Sequence, residues 1–257
     1  MDLLMDPGVA RGYKSPSQIA RRITEAWGAR NLYCAACEAS TLWQTDPNTQ
    51  AVDYRCVECG AVYQMKSGKQ WSERRVPDAG YEAMMRAIVA GSTPNLLIMH
   101  YSWEWRVLNL LLVPSFFFTA SAIERRKPLS FDARRAGWVG CNILLGSIAP
   151  DGRLPIVDRG LIVDPSHVRA SYRRVQPLSG LDVALRGWTL DVLRAVRSLG
   201  RAEFSLSDIY ALDADLGALH PENRNVRPKI RQQLQVLRDL GLIIFKGSGQ
   251  YSTADTP

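Results

Sequence analysis

No stretch of this sequence is apolar for long enough to cross a bilayer. The most apolar segment, VLNLLLVPSFFF at 107–118, is interrupted by Asn109 and Pro114 and falls short of the ~20 residues a spanning helix needs. The first residues, MDLLMDPGVARG, carry acids and a proline where a signal peptide has a basic start and an apolar middle. These absences predict a cytoplasmic protein without a membrane partner. Internal repeats and low-complexity segments are also missing, which excludes solenoids and fibrous arrays.

What is present is an ordinary globular composition, 46% apolar and 22% charged, over 257 residues. That length suits one large domain or two modest ones. Lys and Arg number 32 against 25 Asp and Glu, a net charge of +7. A basic balance fits a polyanionic partner, and it equally fits a merely basic surface.

Hydropathy patterning divides the chain. SPSQIARRITEAWGARN (15–31) spaces Ile19, Ile23 and Trp27 at helical intervals after a Ser-Pro start. YEAMMRAIVAG (81–91) predicts a second helix ended by Gly91. NLLIMHYSWEW, RVLNLLLVP and GCNILLGSI read as strands of one covered sheet. Residues 1 to about 180 therefore predict an α/β domain, and SYRRVQPLSG (171–180) predicts a linker. Beyond it, helices are expected over 185–200, 205–212 and 225–241, then two short strands around Gly-Ser-Gly in 242–253. That order is the order of a winged helix-turn-helix. Ile230, Leu234 and Leu237 form the apolar stripe of its long helix.

Five cysteines are present, four of them in two C-x2-C pairs: Cys34 with Cys37, and Cys56 with Cys59. This spacing predicts a structural four-thiolate zinc site with no open coordination position. Cys141 stands alone and reads as a core thiol.

The second pair lies in AVDYRCVECGAVYQMKSGKQ (51–70). If AVDYR and AVYQMKS are the strands of a hairpin, Val62, Gln64 and Lys66 share one face. Asp53 then lies beside Gln64 and Lys66. An acid, an acid or amide, and a lysine in this order form the pattern of the PD-(D/E)XK nucleases. In that chemistry a carboxylate holds Mg²⁺ and a lysine stabilises charge on the phosphate. Two departures stand out: Val52 precedes Asp53 in place of proline, and position 64 is an amide. Spacing alone equally fits a solvated strand face. Glu25 on the first helix is a further candidate carboxylate.

YKSPSQIARRITEAW, the cysteine pairs around Asp53, KSGK, DAGYEAMM, RKPL, ARRAGWVGCNI, RGWT and KIRQQLQVLRD run nearly end to end. Together they resemble the DpnI-type methyl-directed restriction endonucleases. The resemblance implies a PD-(D/E)XK catalytic domain with an inserted zinc site (1–181) and a mostly helical winged-helix domain (182–257). It implies a monomeric type II enzyme that cuts double-stranded DNA at G-A-T-C carrying N6-methyladenine. Asp53, Gln64 and Lys66 would be catalytic, Asp53 and Gln64 would hold Mg²⁺, and both domains would bind methylated DNA.

An N6-methyl group is an apolar bump in the major groove, and burying it contributes about 1 kcal/mol or less. Trp138 is the first candidate to receive it, with Arg134 and Arg135 beside it for phosphate or guanine. In the winged helix, Arg224, Arg227, Lys229, Arg231 and Gln232 are expected near the start of the recognition helix, and Lys246 at the hairpin. A non-cleaving methyl-DNA binder with a decayed site, and a zinc-ribbon transcription factor, are the other readings.

Overall fold

The computed structural model describes residues 1–46, 49 and 51–254. In chain order the strands are β1 (Trp43–Gln44), β2 (Tyr54–Arg55), β3 (Val62–Gly68), β4 (Arg75–Gly80), β5 (Asn95–Tyr101), β6 (Val107–Val113), β7 (Ile123–Arg125), β8 (Gly140–Leu144), β9 (Leu154–Asp158), β10 (Leu161–Ile162), β11 (Glu203–Ser205), β12 (Ile243–Gly247) and β13 (Gln250–Thr253). The helices are α1 (Pro16–Asn31), α2 (Tyr81–Val89), α3 (Pro165–Val175), α4 (Val183–Ser198), α5 (Leu206–Tyr210), α6 (Asp213–Leu219) and α7 (Val226–Asp239).

The chain forms two compact units. One holds Met1–Ser72, Pro94–Ser115 and Arg153–Arg173; the other holds Glu73–Thr93, Phe116–Gly152 and Arg174–Pro257. The first unit is built on a mixed sheet of order β1-β2-β3-β5-β6-β9-β10, in which only β3 and β5 run parallel. Leu96, Leu97, Ile98 and Met99 of β5 are successive and all buried, the mark of a strand covered on both faces.

α1 begins at Pro16, a residue whose fixed φ suits a first turn. Its Ile23 and Trp27 are buried. The helix meets β2 closely at Gly28, where a Cβ would lie 2.2 Å from the Tyr54 hydroxyl. That hydroxyl donates to the carbonyl of Glu25 at 3.1 Å. A residue without a side chain at 28 thus sets how near Glu25 comes to the β2–β3 hairpin.

The second unit contains a three-stranded sheet of order β4-β8-β7 and another of order β11-β13-β12. GCNILLGSI therefore does not join the large sheet: its β8 is the centre of a separate one. Its partner β4 pairs Pro77 with Asn142 and carries a bulge before Gly80, and its sequence, RVPDAG, has none of the alternation of a strand. The presumed linker at 171–180 is also helical, ending α3 and continuing as a 3-10 turn over Gln176–Gly180, with Tyr172, Val175 and Leu178 buried. NLLIMHYSWEW is extended only to Tyr101.

The winged helix-turn-helix follows the order read from the sequence, with two additions, the short strand β11, which pairs with β13, and the short helix α6. α4 is capped by Asp182, which accepts the Leu185 N–H at 2.9 Å, and it buries Trp188, Leu190, Val192, Leu193 and Val196. α5 opens on a reciprocal capping box between Ser205 and Asp208. Ile230, Leu234 and Leu237 of α7 are fully buried, and Gly241, at φ +71, ends that helix. β12 and β13 turn at Gly247-Ser248-Gly249. Below α4, Asp151 is 3% exposed and receives Arg197 through both Nε (2.8 Å) and Nη2 (2.7 Å), and Arg174 through Nη2 (3.0 Å).

Candidate active site

β2 and β3 form the expected hairpin, with Tyr54 opposite Tyr63 and Arg55 opposite Val62. The turn between them, Cys56 to Gly60, is closed by the Gly60 N–H on the Cys56 carbonyl at 3.0 Å. Gly60 has φ +75, which favours a residue without a side chain.

The four cysteines converge. Their sulfurs all lie within 4.8 Å of one another, with Cys34–Cys59 and Cys37–Cys56 at 3.6 Å. Four thiolates about 2.3 Å from a common tetrahedral centre would lie about 3.8 Å apart, so the cluster fits zinc. Burial opposes ionisation of Cys56, yet the backbone N–H groups of Cys59 and Glu58 hold its thiol below the ordinary range. Cys141 is buried on β8 and lies outside the cluster.

The cluster is anchored from two directions that the sequence did not reveal. Tyr63 of β3 brings its hydroxyl within 3.2 Å of Cys34 Sγ and receives the Ala35 N–H at 3.2 Å. Arg169 of α3 donates Nε to the carbonyls of Cys34 (3.1 Å) and Cys37 (2.9 Å), and Nη2 to that of Ala39 (3.0 Å). One guanidinium thus satisfies carbonyls around the first C-x2-C turn.

On the same hairpin, the Asp53 N–H donates to the Tyr63 carbonyl at 2.8 Å. Continuing that register puts Asp53 opposite Gln64, with Lys66 two residues further along β3. Asp53 Oδ2 accepts the Met65 N–H at 2.7 Å, which fixes the carboxylate against β3. Burial pushes the Asp53 carboxyl above its ordinary value and the charge of Glu25 adds to this; the Met65 N–H, Lys66 and Arg21 oppose it. Asp53 and Glu25 share a cleft with Tyr13, Arg21, Gln44 and Thr45. Arg21 Nε donates to Glu25 Oε1 at 2.6 Å, so Glu25 is oriented within it. Gln64 and Lys66 are half-buried.

The DNA-reading candidates fall in the second unit. Trp138 is half-buried. Its ring lies on the backbone: a Cβ at Gly140 would be 2.8 Å from Trp138 Cη2, and one at Gly80 3.4 Å from Nε1. The Arg135 guanidinium stands 4.7 Å from the ring centroid, and Arg134 is exposed. Around α7, Arg224 precedes the helix, Lys246 lies within β12, and both are exposed with Gln232, while Lys229 is half-buried. Arg227 Nε donates to Asp213 at 2.7 Å and Arg231 Nε to the Tyr210 hydroxyl. Both guanidinium groups stand over the Tyr210 ring, so they are held in place by α5 and α6.

A mixed α/β domain with a four-cysteine cluster, followed by a helix-turn-helix domain, defines a two-part protein built to act on DNA. The chain belongs to the DpnI family. Residues 1–180 match the model described as the Dam-replacing family, and residues 184–253 match the Dam-replacing HTH domain. Membership implies a methylation-dependent restriction endonuclease. Among the described residues no helix is long and apolar enough to cross a membrane.

Proposed function

We propose that this protein is a type II restriction endonuclease of PD-(D/E)XK type, hydrolysing double-stranded DNA at G-A-T-C sites that carry N6-methyladenine. The division of labour falls at 181/182, between a catalytic domain and a winged-helix DNA-binding domain. The observation that carries the reading is the Asp53 carboxylate, held on a cysteine-clamped hairpin, with Glu25 and Lys66 acting on it electrostatically.

The donor set fits Mg²⁺, a cation of oxygen ligands. Asp53 is a carboxyl held above its ordinary value by burial and by Glu25, an environment that a cation completes. Bound Mg²⁺ would polarise the phosphodiester and lower the pKa of a ligated water. Asp53 and Gln64 would hold it, the amide lending oxygen without charge. Glu25, whose charge reaches Asp53 across the shared cleft, offsets the charge missing at 64, with Arg21 keeping it oriented. Lys66 stabilises charge at the scissile phosphate. The four thiolates would hold zinc, whose role here is to fix the hairpin. Arg134, Arg135 and Trp138 read the site from the β7–β8 connection, and Arg224, Arg227, Lys229, Arg231, Gln232 and Lys246 from the winged helix. Localisation in the cytoplasm and action as a monomer belong to the same proposal.

Purified protein with Mg²⁺ should cut plasmid from an adenine-methylating host and leave unmethylated plasmid intact. Asp53→Ala should slow cutting by roughly a thousandfold while DNA binding persists. A second reading, a methyl-DNA binder that does not cut, is favoured by Gln64 alone; binding of methylated plasmid without any cutting would establish it. Cutting of both plasmids alike would remove methyl dependence.

Gln64→Glu restores the fixed charge that the amide lacks. It should lower the Mg²⁺ concentration giving half-maximal cleavage by roughly tenfold, as read from initial rates in a metal titration. Loss of cleavage in a folded Gln64→Glu protein would show that the amide is itself required.

A further inference from the structure

The connection between β7 and β8 presents an aromatic ring to solvent among cations. Phe131 is 94% exposed, more than any other large apolar side chain described; Trp103, next, is 76% exposed. Isolated exposed apolar residues are commonplace. The setting of Phe131 distinguishes it. Residues 125–138 contain five cations, Arg125, Arg126, Lys127, Arg134 and Arg135, against one acid, Asp132. All five cations are exposed.

The loop is also braced. The Arg126 N–H donates to Gly140 O (2.9 Å), Leu129 N–H to Trp138 O (2.9 Å), and Gly137 N–H back to Leu129 O (3.1 Å). Ala133 N–H closes a turn on Ser130 O at 3.1 Å, directly around Phe131. Gly137, at φ +76, allows the return. The ring is therefore carried on a closed, ladder-supported tip, and its exposure is a feature of that frame. An aromatic group kept in water loses the favourable burial it would gain against a partner.

We propose that Phe131 is a wedge that enters the DNA stack beside the bound site, partly unstacking one base step while the surrounding cations hold the flanking phosphates. Apolar side chains inserted between base steps kink duplexes and bring more protein surface against them, and the cations supply the salt-dependent hold on the backbone. The proposal rests on the reading of this protein as DNA-acting. A basic loop with an exposed aromatic also suits an anionic lipid surface. Duplex DNA is favoured because the same unit carries the helix-turn-helix domain and Trp138, and because the cations flank the ring on both sides of the loop.

The test uses the full chain with Ca²⁺ in place of Mg²⁺, and methylated duplexes bearing a single 2-aminopurine moved through the site and its flanks. Binding by anisotropy and 2-aminopurine fluorescence are read together. The wild type should brighten the probe at one step. Phe131→Ala should abolish that signal and bind about tenfold more weakly, with an unchanged melting curve; Phe131→Leu should keep much of both. Tight binding with no bright position, or equal brightening by Phe131→Ala, overturns the wedge. Sedimentation with anionic phospholipid vesicles that depends on Phe131, with dark probes, overturns it in favour of a membrane. Plasmid cutting in Mg²⁺ separates the two ideas. Cutting with dark probes ends the wedge alone, a bright step without cutting ends the nuclease reading alone, and no duplex binding ends both.

Discussion

Stripping zinc from this protein, or replacing Cys56 by Ser, should unfold the edge of the large sheet that carries Asp53 and abolish cleavage. A structural zinc site contributes about 10–16 kcal/mol to folding, against a total stability of about 5–15 kcal/mol for a domain. The four sulfurs join two segments, 34–37 and 56–59, that are otherwise short loops, and β2 is only two residues long. Without the cluster, the Tyr63 hydroxyl on Cys34 and Ala35 still links the first segment to β3, while the Arg169 guanidinium holds only the first segment, to α3. Native mass spectrometry should find one zinc per chain, lost in Cys56→Ser, with a fall in melting temperature. Arg169→Ala leaves the thiols intact but strips four carbonyls, those of Cys34, Cys37, Glu38 and Ala39, of a charged donor, a loss of about 1–3 kcal/mol; it should keep zinc at full stoichiometry and release it faster to a chelator. Cys141→Ser should keep its zinc. A Cys56→Ser protein that melts like the wild type would contradict the structural role of the cluster.

Replacing Asp151 by Asn should destabilise the second unit by about 3–5 kcal/mol, since removing one partner from a buried ion pair leaves the others uncompensated. Asp151 is almost completely buried and accepts a two-point contact from Arg197 and a further bond from Arg174. Burial by itself would raise its carboxyl, but Arg197, through hydrogen bonds and charge, and then Arg174 hold it below the ordinary 3.8. A depressed carboxyl contributes stability that is present above the unfolded value and lost as pH falls through the folded one. The gap in melting temperature between wild type and Asp151→Asn should therefore be widest at neutral pH, about 10 °C for a unit of this size. It should narrow only in acid, as the pH falls below the ordinary 3.8 at which the carboxyl of the unfolded chain takes a proton and on through the lower folded value. A gap that stays constant through acid would show that shape, not charge, sets the cost.

Several parts of this protein were legible in order along the chain. The cysteine spacing announced a metal cluster because a C-x2-C turn is local: its geometry needs only the residues between the sulfurs. The β2–β3 hairpin was readable for the same reason, and it brought Asp53 and Gln64 into register. In the winged helix, the stripe of Ile230, Leu234 and Leu237 with a closing Gly241 gave both the helix and its buried face, as these signals repeat within a few residues. The family resemblance supplied the rest of the expected chemistry, on motifs that span both matched regions.

Tertiary structure alone decided what distant residues do to one another. Arg169 reaches Cys34 across 135 positions, and no local pattern marks an arginine on α3 as the support of a zinc loop. β4 holds a proline and a bulge and exists as a strand only because β8 pairs with it; GCNILLGSI alone could not reveal that its partner lay outside the large sheet. The approach of Glu25 to Asp53 depends on Gly28 meeting Tyr54, a contact between side-chain atoms and a missing Cβ. Asp151 reads as one more surface acid until folding buries it between two arginines. Turns, caps and metal-ligand spacings are energies of neighbours, and the sequence states them directly. Strand pairing, close approaches and buried charges are energies between residues joined only when the whole chain has folded, so they follow from the complete structure and not from any stretch of it.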